Sequence, residues 1–184
     1  MMRNAAKIAI GGAALTALGI VVLASRKKPT LPSTQRVALI GDSYAAGLGP
    51  ELAKLIPNFK FEGHVGNTSS QWANHSAACG ACGDWITAYK PDVVLVSLGV
   101  NDGTAPNIAN YQRIVQALHG LGARVVWIEP PASVKTTSRN VIASLGVPTV
   151  PATNTPLASD RLHPKSYSAW AQEVTAAIPP GKDG

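Results

Sequence analysis

Short apolar runs alternate with amphipathic stretches along most of this chain. Val37 to Ile40 and Val125 to Ile128 are uniformly apolar, and Val93 to Leu98 is nearly so. Runs of this length without a polar face predict strands covered on both sides. Phe59 to His64 alternates in character, as a half-exposed strand does, and Thr149-Val150 predicts a short final strand. Between these runs the spacing predicts helices over Tyr44–Leu55, Ile108–Leu121 (stopped by Gly122), Val134–Leu145 and Tyr167–Ile178. The stretch between His64 and Val93 reads as irregular. Strands alternating with helices predict a parallel, doubly wound α/β sandwich over residues 36–178.

One apolar run does not fit this alternation. Ile8 to Ala24 is 17 residues long without a charge, flanked by Arg3 and Lys7 on one side and by Arg26-Lys27-Lys28 on the other. As a helix it reaches about 25 Å, at the short limit for crossing a bilayer. It reads as an uncleaved signal-anchor, as a signal peptide cut near Ala24, or as a helix docked on another protein. The anchor is preferred, because three cations directly after a cut would oppose translocation there. Residues 1–28 then form a membrane anchor with basic flanks, 29–35 a short Pro/Thr-containing tether, and 179–184 a tail. The catalytic domain is expected outside the cytoplasm, or secreted if the segment is cleaved. Flanking charges of equal number leave the orientation undetermined.

Charge adds little beyond this. The formal net charge is +6, but the first 28 residues hold five cations and no acid. The rest of the chain is nearly balanced, and no basic stripe of the kind a nucleic-acid binder needs is visible.

The chemistry lies in four short pieces: Gly41-Asp42-Ser43, Gly66-Asn67-Thr68, Gly99-Val100-Asn101-Asp102 and Asp160-Arg161-Leu162-His163. Each follows a predicted strand, so all four fall at the carboxyl edge of the sheet, where open α/β sheets bind ligands. Ser43 sits at a strand-to-helix turn and is a candidate nucleophile. Asp160 and His163, three apart, lie on one face if the segment is a helical turn. The carboxylate then holds one imidazole nitrogen, and the other is free to accept the Ser43 proton. Gly66, by its backbone N–H, and Asn101, by its amide, are candidate oxyanion donors. Taken singly these residues have plainer uses: Ser43 and Asp160 as helix caps, His163 as a surface residue, Asn101 and Gly66 as turn formers.

The four pieces, in this order, resemble the blocks of the SGNH (or GDSL-type) hydrolase family, from about Arg36 to Ile178. The resemblance implies a flavodoxin-like three-layer α/β/α fold with strand order 2-1-3-4-5. It also implies a Ser43–His163–Asp160 triad and an oxyanion hole formed by Ser43 N–H, Gly66 N–H and the Asn101 side chain. It implies carboxylic ester or thioester hydrolysis with no cofactor and no metal, and many members remove O-acetyl groups from polysaccharides. Asn67–Trp85 and the membrane run lie outside what the resemblance explains.

Several residues keep open roles. Gln71, Trp72 and His75 are candidate substrate contacts, although Trp72 equally suits a core anchor. Cys79 and Cys82, in a C-x-x-C, read as a small-loop disulfide or as free thiols; a zinc site with His64 and His75 has non-standard spacing. Asp102 is expected to hold its turn, His119 to sit favourably at a helix end, and Glu129-Pro130-Pro131 to shape the rim. The expected activity is that of a membrane-anchored serine esterase removing small acyl groups, acetyl first, from a cell-envelope polysaccharide or peptidoglycan. The alternatives are a lysophospholipase or thioesterase of the same family, and a non-catalytic carbohydrate-binding or structural envelope or virion protein.

Overall fold

A computed structural model of the chain describes residues 34–74 and 83–179. The run Ile8–Ala24, most of the tether, His75, Cys79, Cys82 and the tail beyond Pro179 lie outside the described residues. Among those described, no helix is long and apolar enough to cross a membrane.

The elements are β1 (Val37–Gly41), α1 (Ser43–Ala53), β2 (Phe59–Gly63), α2 (Ser69–Asn74), α3 (Asp84–Tyr89), β3 (Val93–Ser97), α4 (Ile108–Gly120), β4 (Arg124–Ile128), α5 (Ser138–Ala143), β5 (Thr149–Val150) and α6 (Tyr167–Ala177). All strand pairings are parallel and the order is β2-β1-β3-β4-β5. The predominantly apolar strands β1 and β3 are buried at every position because helices cover both faces. Their side chains alternate between two cores. Val37, Leu39, Val93, Leu95, Val126 and Ile128 pack with Tyr44, Leu48 and Leu52 of α1 and Trp170 and Val174 of α6. Ala38, Ile40, Val94, Val96, Val125 and Trp127 pack instead with Trp72, Ile86, Ile114 and Ile142. The result is a three-layer sandwich. β2, at one edge, is half-exposed, in keeping with its alternating sequence.

Three local expectations are corrected. The stretch after β2 is not irregular throughout: it contains α2 and α3. α2 opens with a capping box, in which Gln71 Oε1 accepts from Thr68 N–H (2.8 Å) and Thr68 Oγ1 accepts from Gln71 N–H (3.3 Å). The helix expected over Val134–Leu145 spans only Ser138–Ala143. Arg139 Nη2 donates to the carbonyls of Pro130, Pro131 and Val134, which folds residues 130–137 back into a loop instead of a first helical turn. Asp160–His163 is a non-helical turn, with Arg161 in the left-handed region (φ 57°).

Candidate active site

The parallel register brings the carboxyl ends of β1, β2 and β3 level, and backbone hydrogen bonds continue past the strands. Asp42 N–H donates to Ser97 O (3.0 Å) and His64 N–H to Gly41 O (3.0 Å). The turns that follow are therefore held against the sheet. Asp42 caps α1 by accepting from Tyr44 N–H (2.9 Å), which places Ser43 in the first turn of α1. There its backbone N–H has no intrahelical acceptor. Ser43 is 8% exposed and opens toward the rim.

The 156–165 loop supplies the other half. An antiparallel bridge joins Leu157 and Pro164, and Ala158 N–H donates to His163 O (2.7 Å) and Lys165 N–H to Pro156 O (2.8 Å). Within this closed loop Asp160 Oδ1 accepts from the backbone N–H groups of Leu162 (2.9 Å) and His163 (3.0 Å). The turn thus orients the carboxylate before any tertiary contact is made. Asp160 Oδ2 lies 2.7 Å from His163 Nδ1, and His163 Nε2 lies 2.9 Å from Ser43 Oγ. The hydrogen bond from His163, followed by those from Leu162 and His163 backbone N–H groups, holds the Asp160 carboxyl down at about 2, well below 3.8. The carboxylate selects the tautomer with the proton on Nδ1, so Nε2 faces Ser43 as an acceptor.

The candidate oxyanion donors share this rim. Asn101 Nδ2 uses one N–H on Asn67 O (2.9 Å), which fixes the flip of the amide and leaves a second N–H. Gly66 takes φ +82° in the loop after β2, a conformation suited to glycine, and no side chain crowds it. Asp102 holds the floor beneath them. Its Oδ1 accepts from Ser69 N–H (2.8 Å) and its Oδ2 from the Tyr111 hydroxyl (2.5 Å), tying the loop after β3 to α2 and α4.

Trp72 does not reach the rim, contrary to one of its expected roles. It is 4% exposed, in the core beneath α2, with its ring 5.8 Å from that of His64. Gln71 spends its side-chain oxygen on the α2 cap. His64 pairs with Glu62 (2.6 Å), and Glu62 also accepts from Gly83 N–H and Trp85 Nε1. Among the described residues no group of three or more His, Cys, Asp or Glu is placed to hold a metal. Glu129 accepts from Ala152 N–H (3.2 Å) at the end of β4, and His119 lies in the last turn of α4.

Two residues of the site were not singled out from the sequence. Tyr44 donates its hydroxyl to Leu162 O (3.0 Å) and sets its ring edge-on to His163, 5.8 Å between centroids. Asp42 is fully buried, and its Oδ2 has no hydrogen-bond partner. Burial, opposed by the Tyr44 N–H and reinforced by Asp102, pushes its carboxyl up to about 7. A tyrosine in the first turn of a helix reads simply as core, so no local signal marked Tyr44. From the sequence the plainer use of Ser43 was as the helix cap; the cap is Asp42 instead, and neither that role nor its burial was anticipated.

The GDSL-like lipase/acylhydrolase family matches residues 39–179, which contain all four pieces. The chain belongs to this family. The acylhydrolase is thereby a carboxylic ester hydrolase of the SGNH/GDSL type. No curated protein matches it significantly by sequence. Its fold is similar to that of an acetyl xylan esterase (TM-score 0.55, 17% identity, 78% of this chain and 100% of that one). It is also similar to a psychrotrophic esterase from Pseudoalteromonas sp. (0.54, 20%, 78% and 96%). A third likeness is to the C-terminal catalytic domain of Streptococcus pneumoniae peptidoglycan O-acetyltransferase A (0.50, 16%, 78% and 89%). At these identities the likeness is one of fold.

Proposed function

We propose that the acylhydrolase is a membrane-anchored serine esterase removing O-acetyl groups from a cell-envelope polysaccharide or peptidoglycan. The observation that carries the catalytic reading is the unbroken chain Ser43 Oγ···Nε2 His163 Nδ1···Oδ2 Asp160, with contacts of 2.9 and 2.7 Å, beside the Asn101 amide. Ser43 Oγ attacks the acyl carbon while His163 Nε2 takes its proton, and Asp160 stabilises the resulting imidazolium. The tetrahedral oxygen accepts from Ser43 N–H, Gly66 N–H and Asn101 Nδ2. His163 returns the proton to the departing sugar hydroxyl. Water, deprotonated by His163, then attacks acyl-Ser43 and releases the acid.

The choice of a polymer over a membrane lipid rests on where the domain is tethered. Gln35 Nε2 donates to Pro179 O (3.1 Å), and Val37 N–H to Asn58 O, so both ends of the described domain leave the edge of the sheet opposite Ser43. An anchor in residues 8–24 would join the domain at the end opposite Ser43, which favours a polymer over a membrane lipid as substrate. That three fold relatives are named as acting on acetyl xylan, on esters or in peptidoglycan O-acetylation supports acetylated glycans as the first class to test.

The test uses the full chain purified in mild detergent. Acetate release from O-acetylated peptidoglycan and from acetylated xylan is measured beside hydrolysis of p-nitrophenyl acetate and of a lysophospholipid. The expected result is acetate release from glycan that Ser43→Ala abolishes while glycan binding survives. Turnover unchanged in Ser43→Ala removes the enzymatic reading. Turnover of the lysophospholipid alone replaces the polymer with a lipid.

A further inference from the structure

Next to the candidate oxyanion donor Asn101 lies a groove of about 500 Å³ lined by Gly103, Thr104, Val134, Lys135, Thr137 and Arg139, among others. It is built from the loops after β3 and β4, and the first of these also carries Asn101. The two loops are fastened together. Thr137 donates its hydroxyl to Thr104 O (3.1 Å), and Ser138 packs so closely on Gly99 that a Cβ there would lie 2.9 Å from the Ser138 Cβ. The two walls of the groove are therefore fixed to one another, and one of them is the loop that carries Asn101.

Its charge is one-sided. Lys135 and Arg139 both line it, and no Asp or Glu does. No ion pair joins either cation to a carboxylate among the described residues. The nearby acids are engaged elsewhere: Glu129 with Ala152 N–H, and Asp102 with Ser69 N–H and Tyr111. Arg139 has one nitrogen bound to three backbone carbonyls, and its Nε is buried without an acceptor. Lys135 is exposed, with no partner to neutralise it. The remaining lining mixes threonine hydroxyls and glycine backbone with the small apolar side chains of Ala132 and Val134, a combination that suits the hydroxyls and ring faces of a sugar.

We propose that this groove is the subsite for the alcohol half of the ester, and that the alcohol is a sugar unit bearing a carboxylate, recognised by Lys135. The inference rests on the esterase reading and names the substrate class within it. An acetylated acidic glycan places its ester carbonyl between Ser43 and Asn101 and its carboxylate in the groove. The fixed cations raise the local concentration of such a polymer and hold it in register.

Two polymers of matched acetyl content test this: O-acetylated polygalacturonic acid and O-acetylated xylan, which lacks the carboxylate. kcat/KM for acetate release is compared in the full-length enzyme at low and high salt. The expected preference for the acidic polymer is about fivefold at low salt, and it shrinks as salt rises. Lys135→Ala abolishes that preference, and Lys135→Glu inverts it. Lys135 is exposed, so circular dichroism is expected to report an intact fold in both variants. Equal rates on the two polymers in the wild type, or an acidic preference that survives Lys135→Glu, overturns the subsite. Failure of both polymers with p-nitrophenyl acetate still cleaved through Ser43 points away from glycans altogether. Loss of Ser43 dependence is a separate failure, that of the esterase reading.

Discussion

Tyr44, one residue after the candidate nucleophile, donates its hydroxyl to the carbonyl of Leu162, one residue before the candidate base, at 3.0 Å. This bond spans the two halves of the site from outside the triad. It joins the first turn of α1 to the loop that carries His163, while the Tyr44 ring edge braces the imidazole and packs on Trp170. Tyr44→Phe keeps the ring and removes the bond. A neutral hydrogen bond is worth about 1 kcal/mol, so kcat on p-nitrophenyl acetate is expected to fall about fivefold with KM nearly unchanged. A wild-type kcat in this variant assigns the positioning of His163 to the loop's own hydrogen bonds.

Asp160→Asn tests the tautomer argument. The amide cannot accept from both Nδ1–H and the backbone as the carboxylate does, and its NH₂ drives the imidazole proton toward Nε2, facing Ser43. On the precedent of such substitutions kcat falls by about 10²–10⁴. The carboxyl is held at about 2 against an ordinary 3.8, so the ionised form favours the folded state. The resulting stability is present above pH 3.8 and is lost as pH falls through 2. In the wild type Asp160 is therefore ionised throughout the neutral range. A variant retaining more than a tenth of wild-type kcat removes Asp160 from its assigned role.

Asp42 behaves oppositely. Its folded-state carboxyl titrates at about 7 against 3.8 unfolded, because burial penalises the charge. The unfolded chain thus loses this proton first as pH rises from 4 to 7. Stability is fully present below pH 3.8 and declines until the folded group has titrated, by about 4 kcal/mol in all. Asp42→Asn keeps an acceptor for Tyr44 N–H and carries no charge. Urea midpoints at pH 4 and pH 8 are expected to show the variant gaining on the wild type at the higher pH. Parallel midpoints for the two proteins at both values sink this assignment.

Gly63 marks how closely α1 approaches the sheet. A Cβ there would lie 2.2 Å from the backbone nitrogen of Ala46 and 2.7 Å from its Cα, atoms of a helix that cannot move alone. Gly63→Ala is expected to cost about 1–3 kcal/mol or more. Gly120, in the last turn of α4, has open space around its Cβ position. Gly120→Ala is expected to stabilise by about 0.4–1 kcal/mol. Thermal unfolding of both variants checks the contrast, and equal melting temperatures would refute it.

The pattern of residues already contained the layers. β1, β3 and β4 were legible as nearly continuous apolar runs because a strand covered on both faces needs no polar period, and the amphipathic stretch of α4 named its buried side. α2 was missed because a six-residue helix is too short for periodicity to register; the signal that could have found it is the spacing of Thr68 and Gln71, which form its capping box. α5 was overdrawn because its sequence does not reveal that Arg139 collects three carbonyls from the preceding loop.

At the site the same division holds. Asp160 and His163 are three residues apart, and the turn that pairs them is closed by their own backbone, so that contact is encoded locally. The approach of His163 to Ser43 spans 120 residues and depends on strand order, parallel register and the seating of the 156–165 loop. The burial of Asp42, the turning of Trp72 into the core and the uncompensated charge of the groove beside Asn101 were likewise decided in three dimensions. Local spacing determines which residues share a turn or a face. Which turns face one another, and how dry the space between them is, follows only from packing the whole sheet between its helices.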